Sequence, residues 1–224
     1  SMKNYLLITL LLFCCYIDAQ VIATDRPSAQ TDNSYSLYHK AFQIESGLVY
    51  SFSDGEVNSS SIPNLLFRYG AFNNIEFRFS SDVLISTVEK EISISPIQLG
   101  TKIQLLRKEK FQLAFLSMAA FDSIHQFTSI KLVGGNPINE NFGIGYTIGH
   151  HFDRFKENNS LNYSIFLSNS FNSKLTGFIE VYGDWKYSLD GNNSKINFDL
   201  GGSFLLNDKM QVDAYFGKGI QNDM

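Results

Sequence analysis

Ten charged residues carry whatever chemistry this chain does: Glu45, Arg68, Glu76, Arg78, Asp82, Lys102, Glu180, Asp184, Asp199 and Asp213. Each falls on an alternate position of a strand-like run, on the face opposite a row of Phe, Ile, Leu or Val. Seven are acids and three are bases. Charges taken out of water must be paired or kept wet. Two roles satisfy that rule. The charges brace an interior as a salt-bridge network, or they line a pore that selects solutes. In the second case Arg68, Arg78 and Lys102 face the acidic side chains across a constriction. The roles overlap, since a braced interior can still conduct.

Other chemistry finds little to stand on. His150 and His151 are adjacent, and adjacent strand residues point to opposite faces, so the two do not share one metal ion. A lipid-cleaving site would need a serine, a histidine and a third partner aligned on the outer face. Ser123 precedes His125 by two residues, but His150 has no such serine beside it. No glycine-rich phosphate loop is present, and Gly134-Gly135 reads as a turn signal. The expectation is a protein that is not an enzyme, with no catalytic residue, no metal and no cofactor. A net charge of −4, without any run of Lys or Arg, gives no footprint for nucleic acid.

The elements that position these charges are strands. From Ala41 to Ser53, Phe42, Ile44, Leu48, Tyr50 and Phe52 alternate with Gln43, Glu45, Gly47, Val49 and Ser51, giving an apolar face and a mostly polar one. The pattern returns along the chain. Leu65, Phe67 and Tyr69 alternate with Leu66 and Arg68. Ile75, Phe77 and Phe79 alternate with Glu76 and Arg78. Ile97, Leu99 and Ile103 alternate with Gln98 and Lys102. Further runs open at Phe111, Phe127, Phe142, Leu161, Leu175, Ile196 and Met210. No stretch shows a helical period, and the chain reads as all-β.

Length and loop pattern favour a transmembrane antiparallel up-and-down barrel over a sandwich. Charged residues make up 18% of the chain, against about 25% in soluble domains. Ile75, Phe111, Phe142, Leu175 and Met210 each follow a short polar turn, so the unit repeats roughly every thirty to thirty-six residues. Long connections, such as the polar stretches Ser53 to Ser61 and Ala120 to Gln126 and the one holding Glu89, Lys90 and Glu91, fall at the other end. A one-residue slip in register would put Arg78 or Lys102 into lipid, at about 2–4 kcal/mol each near the midplane. Eleven strands can be read where a bacterial barrel has an even number, so a full protein of about twelve strands is expected, with its last strand lost after Gly217 to Met224.

Lys3 and the apolar run Tyr5 to Phe13 read as a secretory signal over residues 1–19, cleaved before Gln20. Both cysteines, Cys14 and Cys15, lie inside it. Leu12-Phe13 before Cys14 lacks the small residues that lipoprotein processing favours. Residues 20–40 form a polar N-terminal segment on the periplasmic side, and 41–224 the barrel. That segment is either a disordered leader or a plug that docks by charge through Asp25 and Arg26.

Thr24-Asp25-Arg26-Pro27, Phe42 to Gly47, Leu66-Phe67-Arg68-Tyr69-Gly70, Ile75-Glu76-Phe77-Arg78 and Gly177 to Gly183 carry a resemblance in their order and spacing. Almost all of the mature chain resembles a bacterial outer-membrane family labelled as a transporter of the meta-pathway of phenol degradation, common in Bacteroidetes-type genomes. The resemblance implies a barrel of about twelve strands in the outer membrane. The partners expected are outer-membrane lipid and a small solute of unassigned identity, and the function passive or facilitated transport. The rival expectations are a structural barrel with a closed charged lumen and a lipid-modifying enzyme.

Overall fold

The computed structural model describes residues 22–25, 30–53, 56–88, 90–121, 126–153, 159–188 and 191–221. The segment read as a signal, Arg26, Ser123 and His125 lie outside them. Among the described residues twelve strands are formed: β1 (Phe42–Ser53), β2 (Glu56–Phe72), β3 (Ile75–Ser86), β4 (Glu91–Ile94), β5 (Ile97–Lys108), β6 (Phe111–Phe121), β7 (Gln126–Pro137), β8 (Phe142–Asp153), β9 (Ser160–Ser170), β10 (Leu175–Ser188), β11 (Gly191–Asn207) and β12 (Met210–Gln221). Eleven of them pair in chain order as one antiparallel meander, and β4 attaches to β3 beside that path. The all-β up-and-down architecture expected from the alternation is the one observed.

Alternation sets the two faces. On β1, Ile44 is 56% exposed and its neighbour Glu45 5%. The same split separates Leu99 from Lys102 on β5, Ile179 from Glu180 on β10 and Leu200 from Asp199 on β11. An exception is Lys218, which shares the outward parity of Val212 and Phe216 near the far end of β12. There its long stem can carry the charge clear of an apolar surface.

The sheet curls around its polar face. Ala23 and Thr24 are consecutive, yet Gln43 of β1 donates to the Ala23 carbonyl (3.2 Å) and Gln211 of β12 to the Thr24 hydroxyl (3.2 Å). The first and last strands therefore both reach one short stretch of the N-terminal segment. Among the described residues β1 and β12 each pair on one side only.

Asparagines shape the short connections. The Asn172 side-chain oxygen accepts the Lys174 and Leu175 N–H groups (2.8 and 2.9 Å), and Asn139 does the same for Asn141 and Phe142 (2.9 and 2.8 Å). Asn207 caps Lys209 (2.9 Å). Each side chain stands in for a backbone turn acceptor.

The opposite end departs from expectation. The polar stretch Ser53 to Ser61, read as loop, is strand from Glu56 onward, with Ser51 opposite Ser59 and Tyr50 opposite Ser60. The connection after β3 carries β4, whose Ile92 and Ile94 pair with Ile85 and Val83. β6 runs on to Phe121 and β7 opens at Gln126, so Ala120 to Gln126 is shorter as a connection than expected. Two adjoining arms supply each other's backbone partners whatever their side chains, so pairing continues past the apolar alternation that marks a strand in the sequence. Path strands therefore span 11 to 17 residues.

Candidate functional site

The segment, residues 22–25 and 30–40, lies against the concave face, held by many polar contacts and by the burial of Ala23 and Leu37. Asp25 is its anchor. One carboxylate oxygen meets Arg78 of β3, Lys102 of β5 at 3.1 Å and Arg68 of β2 at 3.5 Å. Its other oxygen accepts the Asn33 N–H, and its own N–H donates to Glu45 (2.8 Å). The Asn33 carbonyl accepts the Lys102 ammonium at 2.5 Å.

Around this anchor the wall is already paired. Glu76 accepts Arg68 through Nε (2.8 Å) and Nη2 (3.0 Å), Arg78 through Nε (2.7 Å), and the Leu37 N–H (2.8 Å). Glu45 accepts Arg68 Nη1 at 2.9 Å. Asp32 bridges Arg78 (3.4 Å) and Lys131 of β7 (2.6 Å). Cross-strand register explains the density. Arg68 stands opposite Arg78, and Glu76 opposite Lys102. Two like charges facing each other on one sheet face are stable only with acids between them. Asp25, Asp32, Glu45 and Glu76 against Arg68, Arg78, Lys102 and Lys131 bring the cluster to formal neutrality.

The rest of the segment reaches around the wall. Gln104 accepts the Ser36 N–H (2.8 Å) and donates to the Ser34 carbonyl (2.9 Å). Arg107 donates to the Ser36 carbonyl (2.9 Å) and lies 4.4 Å above the Tyr38 ring. Across the interior, Glu180 of β10 accepts the Gln30 and Thr31 N–H groups (2.7 and 2.5 Å) and the Thr31 hydroxyl. A space of about 300 Å³ remains between segment and wall, lined among others by Thr31, Ser34, Gly135, Gly145 and Phe166.

Glu45, Arg68, Glu76, Arg78 and Lys102 thus meet in one cluster with Asp25. The bases stand on the adjacent path strands β2, β3 and β5, and the acids Glu180, Asp184, Asp199 and Asp213 on β10–β12. The ion pairs of the bases run to Glu45 and Glu76 on their own side of the wall and to the segment, because the register sets those acids one strand away. Glu180 and Asp199 oppose each other on β10 and β11, Asp213 lies on β12 beside Gln211 (2.7 Å), and Asp184 sits half-buried further along β10. Asp82 accepts the Leu65 N–H (3.2 Å), a local brace beside the bulge at Pro63. Of the two residues read as a plug, Asp25 makes the ion pairs above, while Arg26 falls outside the described residues. Lys131, Gln104 and Asp32 were missed. Lys131 and Gln104 share inward parity with residues already singled out, whereas nothing periodic marks Asp32. The His150 ring packs outside against Phe152 and Tyr187, and that of His151 inside against Phe127.

The segment leaves the interior through a tight corner. Lys40 adopts a left-handed backbone (φ 66°) and donates its N–H to the Gly70 carbonyl at 2.7 Å. A Cβ on Gly70 would stand 1.8 Å from the Tyr38 carbonyl oxygen. Gly70→Ala should therefore lift this corner and cost about 1–3 kcal/mol of docking, read as faster amide exchange at Lys40 and Ala41. Unchanged exchange there would contradict the contact.

Burial alone raises the Asp25 carboxyl, but Arg68, Arg78 and Lys102 outweigh it and hold the group well below the ordinary carboxylate value. At Asp32 burial is likewise opposed, chiefly by Lys131, and the net direction is down. A carboxyl depressed in the docked state binds protons more readily once released. Docking strength is then fully present above the ordinary carboxylate pKa and lost below it. Amide protection of residues 30–37 should stay constant from neutral pH down to about pH 4 and fall below that. A loss already complete at pH 6 would contradict the pairing.

Neither a scan of protein-family models nor a search of curated proteins finds a match to this chain.

Proposed function

We propose that the chain is an outer-membrane β-barrel for passive or facilitated passage of small solutes, with its N-terminal segment as a stopper. The observation that carries this reading is the inversion of its two faces. Phe42, Ile44, Phe77, Leu99, Ile148, Ile165, Leu200 and Phe216 are exposed on the convex side, while Arg68, Glu76, Lys102 and Asp199 are buried on the concave one. A wall of that kind matches lipid outside and water inside, and an apolar surface so extensive is costly in water. That no helix among the described residues is long and apolar enough to cross a membrane says nothing against a barrel. The resemblance to an outer-membrane transporter family points the same way. Hydrogen bonds and the ion pairs of Asp25 and Asp32 hold the segment, beside the buried Ala23 and Leu37, and no covalent bond ties it to the wall. The same full pairing of the cluster also supports a second reading, a structural barrel whose charged interior stays closed.

A disulfide staple separates the two. An ideal Cβ on Gly135 lies 3.3 Å from the Ser34 Cβ, just inside the spacing of about 3.5–4.5 Å across disulfides, so a parting of a few tenths of an ångström lets the bond form. Apart from Cys14 and Cys15 the chain brings no competing thiol. In planar bilayers, Ser34→Cys/Gly135→Cys should be silent when oxidised and give stepwise currents on reduction. Silence in both states, with the barrel shown to be inserted, would contradict transport and leave the closed barrel.

A further inference from the structure

We infer that Arg68, Arg78 and Lys102 form a binding site for a small carboxylate anion, which Asp25 occupies in the docked state. The inference rests on the reading of the segment as a displaceable stopper and adds what displaces it. Three cations from the adjacent path strands β2, β3 and β5 converge on one oxygen of Asp25, with Lys102 at 3.1 Å and Arg68 at 3.5 Å. All three side chains are almost fully buried. Removing the segment takes away the carboxylates of Asp25 and Asp32 and leaves Glu45 and Glu76 against four bases. Uncovered, cations in excess on one wall of a cleft attract an anion, and guanidinium forks suit a carboxylate. A carboxylate solute in the interior therefore competes with Asp25, and binding and release of the segment are linked reciprocally.

Ser34, buried beside Gly135, reports that release without any current. In Ser34→Cys, otherwise native, maleimide labelling should speed up saturably with formate and not with chloride at equal ionic strength. Arg78→Gln should abolish the dependence on formate. In Asp25→Ala/Ser34→Cys, labelling should start roughly a hundredfold faster. Formate should then slow it, because the Asn33 N–H adds a donor to the site only while the segment is docked. No formate-specific change in the native background overturns the inference, whether or not the Asp25 variant folds. A response to inorganic phosphate without one to formate overturns the carboxylate assignment. Neither readout depends on conduction, so a barrel that never conducts can still show the site, and a conducting one can lack it.

Discussion

Arg68→Met is expected to cost the folded chain about 3–5 kcal/mol, the range for breaking a buried ion pair from one side. Arg68 is fully buried and donates to Glu45, to both oxygens of Glu76 and to the Ala23 and Tyr35 carbonyls. Methionine fills much of the volume but donates nothing. Relief of the repulsion from Arg78, directly opposite, offsets part of the loss, and Arg78 keeps its own bond to Glu76. The remainder falls on Glu45, whose donors also include Gln43 and the Asp25 N–H. Adding Glu45→Gln should recover part of the stability, because the two sites share one interaction. Denaturant unfolding in lipid vesicles checks both variants. An unchanged midpoint for Arg68→Met would mean that the cluster braces nothing.

Ile165→Arg addresses the other face. Ile165 lies mid-way along β9, 54% exposed, between Tyr146 of β8 and Val181 of β10. In lipid an arginine near the midplane costs about 2–4 kcal/mol, and near the interface about 0–1 kcal/mol. Ile165→Arg should therefore lower stability in vesicles far more than Phe171→Arg, placed at the β9–β10 turn. In water the same change replaces an exposed apolar side chain with a charged one and is close to neutral. Equal, small effects at both positions would contradict a lipid-facing wall.

The period of two made most of the fold legible. Phe42 to Phe52 shows it, and Arg78 and Lys102 fix the parity, because a slipped register would put them among apolar side chains. The hairpin arms at Val57 to Ser61 and Gly191 to Ser194 were not legible, because their pairing rests on backbone hydrogen bonds and no apolar row marks them. The inward charges could be found by parity alone, and so could Lys131. Their partners could not, because the strand order and stagger decide that Glu76 meets Lys102 and Arg68 meets Arg78. The segment was the least legible part. Its Asp25 could be singled out as a docking charge but its partners could not, because only the curled sheet brings three cations from separate strands around it. Asp32 has no local signal at all.

The lone tryptophan offers the most direct test of the central claim, that the apolar face meets lipid. Trp185 points outward on β10, 48% exposed, with Tyr187 on the same face near the strand end. Aromatic side chains at that level belong to a membrane–water interface. In vesicles of brominated lipids its fluorescence should be quenched, and more strongly by bromines near the headgroups than by bromines near the bilayer centre. Trp185 left unquenched by every brominated lipid, yet open to aqueous acrylamide in protein bound to the vesicles, would contradict the membrane barrel.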